Sequence, residues 1–191
     1  MTTCGWVIVA LWLTLVGYWC RSAYAVRRSI GRWLWWREIA IRLGFFALVV
    51  LALQVAVEGH ALPDARRSMP STGMVVGAIG VVLCLLGIGL AILGRASLGQ
   101  SWSIPVAPEE TAELVTTGPY AYVRHPIYSG MLLAMLGSAI GQSVLWLLPL
   151  SMYGPQFIFS ARREERLLLE QFPERYGAYM KHTKMLLPFV L

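Results

Sequence analysis

Charge is what this sequence has least of: 14% of its 191 residues are Asp, Glu, Lys or Arg, against about 25% in an ordinary globular domain. Residues 1–20, 43–57, 68–94 and 126–161 carry no charge at all, which excludes a soluble fold with charged outer faces and points to an integral membrane protein. No stretch between these runs exceeds 31 residues, so none has room for a large soluble domain. Cysteine is scarce too. Cys4, Cys20 and Cys84 are odd in number, share no motif spacing and sit in or beside apolar runs, which excludes a disulfide framework and a zinc site. His60, His125 and His182 are too scattered for a metal cluster, so no metal is expected. A Gly-rich strand-to-helix motif, the mark of a dinucleotide fold, is also missing.

What the sequence does have is span-length apolar helix. A crossing needs about 20 residues at 1.5 Å each. The first and third runs are single spans, and the second borrows residues 39–42, with Arg42 reaching to the interface. The fourth run holds 36 residues, about 54 Å as one helix, so it must fold back, best at Gly141, Gln142 and Ser143. The reading is an all-α membrane bundle of five helices near 2–20, 40–57, 72–94, 127–141 and 144–171, in one domain over 1–191 with a catalytic half at 98–191. Pro149 and Pro155 should kink the last helix, and Phe172-Pro173 should end it.

Basic residues orient the bundle. Arg21, Arg27, Arg28, Arg32, Arg37 and Arg42 follow the first helix, Arg95 and Arg124 flank the middle loop, and Arg162, Arg163, Arg166, Arg175, Lys181 and Lys184 end the chain. Putting these regions on one side makes 14 of the 16 basic residues cytoplasmic and leaves Arg66 and Arg67 outside. The amino terminus is then outside and the carboxyl terminus inside. The net charge of +6 therefore reads as orientation and contact with lipid headgroups, and nucleic acid is not an expected partner. Residues 27–42 interleave arginines with Ile30, Trp33, Trp35 and Trp36, which suits either a helix in the headgroup layer or a plain loop with aromatic anchors. Gly73-x-x-x-Gly77 and Gly137-x-x-x-Gly141 permit close helix packing.

Two segments concentrate polar residues. One is the Gly- and Pro-rich loop from Leu98 to Gly130; the other is Arg162-Arg163-Glu164-Glu165-Arg166 at the end of the fifth helix. Helices four and five are consecutive and antiparallel, so His125 and Glu165 should meet at their bases. A site there would set Tyr120, Arg124, His125 and Tyr128 against Glu164 and Glu165, a set suited to a cationic or zwitterionic ligand.

The pattern Gly118-Pro119-Tyr120-x-x-x-Arg124-His125-Pro126-x-Tyr128-x-Gly130, then Glu164-Glu165-x-x-Leu168 and Phe172-Pro173-x-x-Tyr176-x-x-Tyr179, resembles the isoprenylcysteine carboxyl methyltransferase family. Related phospholipid methyltransferases share parts of it. The likeness covers about half the chain, from Leu98 onward. It implies an integral membrane methyltransferase that uses S-adenosylmethionine, with a cytoplasmic loop and C-terminal helix forming the cofactor site. By the resemblance, Tyr120, His125, Pro126, Ile127 and Tyr128 line the cofactor pocket, and Ala112, Glu113, Leu114 and Val115 pass along the adenosine. Glu165 meets the cofactor's amino-acid end, and Arg162 or Arg163 stands near the substrate.

Methyl transfer from a sulfonium demands positioning above all. A carboxylate acceptor needs no base, only desolvation and a cation such as Arg162 to orient it; a thiol or protonated amine needs proton removal by Glu164, Glu165 or a tyrosine. The expected acceptor is lipophilic, a prenylated molecule reached from the bilayer, most readily the carboxylate of an isoprenylcysteine. Phospholipid and small-thiol acceptors remain open, as does a sterol-type membrane reductase using NADPH.

Overall fold

The computed structural model describes residues 3–26, 73–99 and 114–186. The expected second span at 40–57, the arginine- and tryptophan-rich stretch 27–42, and Ala112 and Glu113 lie outside the described residues. Within them the chain forms α1 (Thr3–Val26), α2 (Met74–Leu98), α3 (Pro126–Gly141), α4 (Leu147–Gln171) and α5 (Pro173–His182), with 3-10 turns at Gly118–Ala121 and Val144–Trp146. The described residues contain no strand beyond an isolated parallel bridge between Val123 and Lys184. Three stretches, Thr3–Ser22, Met74–Leu98 and Val144–Gln171, are long and apolar enough to cross a membrane, and α3 is a shorter apolar helix. The all-α membrane class follows.

Local chemistry sets the boundaries. Pro126 opens α3, where its missing N–H leaves no helical bond unmade. The long apolar run folds back after Gly141, and the Ser143 hydroxyl accepts from the Leu145 N–H (3.3 Å) to start the next turn. Pro149 falls in the first turn of α4, where no donor is lost, while Pro155 is interior. Two ends differ from expectation. The second described span continues past residue 94 to Leu98 and takes Arg95 into the helix. Phe172-Pro173 ends α4 as expected, but Pro173 is also the first residue of a further helix, α5, because a proline that stops one helix is well suited to begin the next.

The core is a glycine seam between α2 and α3. A Cβ on Gly80 would lie 2.3 Å from the Gly141 backbone, one on Gly87 2.5 Å from that of Ala134, and one on Gly94 3.1 Å from Ile127. Steps of seven along α2 (80, 87, 94) thus meet steps of seven along α3 (141, 134, 127), a constant antiparallel register in backbone contact. Gly137 belongs to this seam, whereas Gly73 precedes α2 with nothing near it, and Gly77 faces Cys4. Against the seam α1 lays Ile8, Trp12 and Leu15. Trp12 stacks on Trp146 (5.2 Å) and donates to the Ser138 hydroxyl (3.0 Å). That hydroxyl in turn donates to the Ala134 carbonyl, so the buried polar atoms are satisfied within the apolar interior. Outward faces expose Val75, Val82, Leu86, Leu93 and Phe159, as a bundle surrounded by lipid requires.

Candidate active site

The seam fixes the base of α3 beside the end of α2, and the site is assembled there. Gly118 has φ 62, a left-handed backbone that favours glycine. It turns the chain into Pro119 and the buried Tyr120. From Val123 onward the backbone runs beside the segment that follows α5. The Arg124 N–H donates to the Lys184 carbonyl (2.8 Å) and the His125 N–H to that of Met185 (3.0 Å). The Ser129 hydroxyl donates to the Leu186 carbonyl. Residues 183–186 therefore form a strap that holds the start of α3 by its main chain.

From the other side, α4 presents Glu164 and Glu165. Arg124 Nε donates to Glu165 Oε1 at 2.6 Å, with both side chains about nine-tenths buried. The same guanidinium donates to the carbonyls of Thr183 and, at 3.5 Å, Met180, so it also neutralises the carboxyl end of α5. His125 lies between the two carboxylates, Nδ1 3.4 Å from Glu164 and Nε2 3.4 Å from Glu165. Tyr128 donates its hydroxyl to Glu164. Its ring stacks on His125 (5.6 Å) and on Phe157 (4.9 Å). Tyr179 of α5 donates to the Tyr120 carbonyl (2.6 Å), and Tyr176 is fully buried beside it. Of the two carboxylates, Glu165 is enclosed, while the side chain of Glu164 is 41% exposed and open to a ligand.

Burial works against a charged His125, but Glu164 and Glu165 outweigh it and hold its pKa above the ordinary imidazole value. Burial pushes the phenol of Tyr179 up to about 12 and raises those of Tyr120 and Tyr176, which keeps all three neutral. Because the folded pKa of His125 exceeds the unfolded one, its contribution to stability is fully present below the ordinary value of 6.5 and is lost as pH rises through the raised one. The thermal midpoint in detergent should fall across that window, and His125→Gln should flatten the fall. An unchanged slope in the variant would refute the assignment.

The sequence carries the same signature beyond these residues. A phospholipid methyltransferase family model matches residues 75–175. The protein-S-isoprenylcysteine O-methyltransferase of Schizosaccharomyces pombe is 35% identical over 182 residues, covering 87% of this chain and 77% of that one. The chain belongs to the isoprenylcysteine carboxyl methyltransferase family. The Saccharomyces cerevisiae protein-S-isoprenylcysteine O-methyltransferase is 31% identical over 147 residues (72% of this chain, 60% of that one). The nickel-cobalt-cadmium resistance protein NccN of Alcaligenes xylosoxydans xylosoxydans is 27% identical over 154 residues (77% and 64%). The chain thus spans slightly under two thirds of the length of the curated relatives it matches first.

Against the pattern of the isoprenylcysteine carboxyl methyltransferase family, the structure gathers Tyr120, Arg124, His125, Pro126, Tyr128, Glu164 and Glu165 at one place. Ile127 packs on Gly94, and Leu114 and Val115 are half-buried just before the 3-10 turn. Arg162 and Arg163 stand apart: both are exposed, and neither belongs to the hydrogen-bonded cluster. Arg95, in the sequence one of the basic residues that orient the bundle, is not among the expected site residues. It is 3% exposed, donates to the Gly99 carbonyl (3.1 Å) and is close enough to Tyr18 and Tyr120 to interact electrostatically with both. The available signal was its position abutting an apolar run, one residue after the Gly94 that meets α3. The strap 183–186 gave no signal at all.

Proposed function

We propose that this chain is an integral membrane methyltransferase that moves a methyl group from S-adenosylmethionine to a lipophilic acceptor, best the carboxylate of an isoprenylcysteine-like molecule. The observation that carries the reading is the pairing of an enclosed Arg124–Glu165 ion pair with an open Glu164 beside the stacked rings of His125 and Tyr128. A sulfonium-bearing amino acid suits such a set: carboxylate and aromatic faces stabilise cationic centres. When bound, S-adenosylmethionine supplies an activated methyl group whose departure leaves a neutral thioether. Glu164, already in contact with Tyr128 and His125, is the carboxylate exposed enough to accept from the ligand's ammonium group as well. Glu165, which the family resemblance assigns to the amino-acid end, acts from behind by fixing Arg124 and His125. Ala112, Glu113, Leu114 and Val115 are the adenosine contacts, with Pro126 and Ile127 at the pocket wall.

A carboxylate acceptor reacts as the anion, so the protein's task is to orient and desolvate it. Arg95 is better suited to that task than Arg162, because it is buried at the same end of the bundle and interacts with Tyr120. A second reading, a phospholipid amine as acceptor, is favoured by the match to the phospholipid methyltransferase model. That chemistry requires proton removal, and Glu164 is the accessible base. The distribution of basic residues supports a site on the cytoplasmic side with the amino terminus outside.

Calorimetry in detergent should detect binding of S-adenosylmethionine or its demethylated product to the wild type. Glu164→Gln and His125→Ala should each weaken it by about tenfold or more, the loss of a charge-assisted contact. Undiminished binding in both would sink the site. With labelled donor and panels of prenylcysteine, phospholipid and thiol, Arg95→Gln should raise KM for a carboxylate acceptor and leave donor affinity unchanged. An amine acceptor would be indifferent to it.

A further inference from the structure

Arg162-Arg163-Glu164-Glu165-Arg166 sets three basic residues around two acidic ones, at spacings where helix neighbours can compensate one another. The structure removes that compensation. Glu165 is engaged by Arg124, and Glu164 by Tyr128 and His125, all on the inward side of α4. Among the described residues no ion pair involves Arg162, Arg163 or Arg166, and all three are exposed. Glu170, one turn beyond Arg166, is exposed and also forms no ion pair among them.

At 100° per residue, Arg162 lies about 60° and Arg166 about 100° round the helix from Glu165, on the side away from Glu164. Pro155 and Phe159 fall on that same outer face, at about 80° and 120°, and Phe159 is 71% exposed. The uncharged run ends at Ala161, so Arg162 is the first charge met on leaving the hydrocarbon. The face thus reads, from membrane outward, as an apolar strip followed by unneutralised guanidinium groups at the depth of lipid phosphates. Guanidinium is the side chain best shaped to grip phosphate oxygens in pairs.

We propose that this outer face of α4 binds an anionic glycerophospholipid, its phosphate between Arg162 and Arg166 and an acyl chain along Phe159 and Pro155. Arg163, farther round the helix, adds to the local positive field. The site is separate from the Glu164–His125 cluster and does not depend on the methyl-transfer reading, since lipid retention is measured without any methyl donor.

The test uses the full chain purified in neutral detergent and exposed to mixed micelles with equal dioleoylphosphatidylglycerol and dioleoylphosphatidylcholine. Lipid retained after washing is extracted and quantified. The wild type should retain the anionic lipid in about tenfold preference and lose that preference at high salt. The triple variant Arg162→Gln, Arg163→Gln, Arg166→Gln should retain the two lipids about equally. Arg175→Gln with Lys181→Gln should behave as wild type. Phe159→Ala, which leaves charge intact, should weaken retention of both lipids and so keeps the test decisive if the triple variant misfolds. Equal retention by the wild type, or an unchanged preference in a folded triple variant, would overturn the proposal. So would displacement of the lipid by soluble glycerol 3-phosphate, which would mark a free-phosphate site.

Discussion

Glu165→Ala is expected to cost about 3–5 kcal/mol of stability, the penalty for leaving one partner of a buried ion pair uncompensated, and to abolish methyl transfer with it. Arg124 would keep its charge in a nearly enclosed position, at 9% side-chain exposure, with only backbone carbonyls to stabilise it. His125 would lose one of its two carboxylates. Two measurements separate structure from chemistry. Thermal unfolding in detergent reads the loss of stability, and calorimetric donor binding reads the site. Replacing both partners, Arg124→Met with Glu165→Leu, should recover part of the stability because no lone charge remains. Activity and donor binding should not return. A Glu165→Ala protein with wild-type midpoint and wild-type donor affinity would show that the pair does neither job.

The second large effect lies far from the chemistry. Gly87→Ala adds one methyl group at a point 2.5 Å from the backbone of Ala134 and Gly130, where nothing but main chain could yield. Helices α2 and α3 would have to separate. Overpacking of this kind costs about 1–3 kcal/mol when side chains can shift, and the figure should be at the upper end or beyond it here. Gly87→Leu should give no monodisperse protein. Gly154→Ala is the matched control, since its added carbon would sit 3.8 Å from a flexible Leu132 side chain and be tolerated. Folded yield by size exclusion in detergent distinguishes these outcomes, and a well-folded Gly87→Leu protein would contradict the seam.

Much of this architecture was legible in the sequence because hydrocarbon imposes simple rules. The absence of charge over 68–94 and 126–161 dictated helices of known rise, and the length of the second stretch dictated a reversal near Gly141. Antiparallel neighbours then required His125 and Glu165 to approach, as their 3.4 Å separation bears out. What remained hidden depends on rotation about helix axes and on contacts between distant segments. Whether Arg95 or Arg162 is enclosed is a matter of which side of a helix meets protein, and both are simply arginines beside apolar runs in the sequence. The close-packing pairs legible in the sequence are 73/77 and 137/141, whereas the spacing of Gly80, Gly87 and Gly94, a repeat of seven, becomes meaningful only when a partner repeats in step. In sequence Pro173 marks a stop, although the same ring constraint makes proline a good first residue for the next helix.

The strap also dictates an order of events during synthesis. Arg124 and His125 leave the ribosome about sixty residues before Lys184 and Met185, whose carbonyls hold their N–H groups. Until the later segment arrives, the start of α3 has its helix but not its anchorage, and Arg124 lacks the carbonyls of Met180 and Thr183. The membrane helices can therefore insert and pair along the glycine seam as an inert scaffold. The proposed site is completed only when the chain after α5 returns to lie beside Val123, so its assembly follows that of the helices it joins.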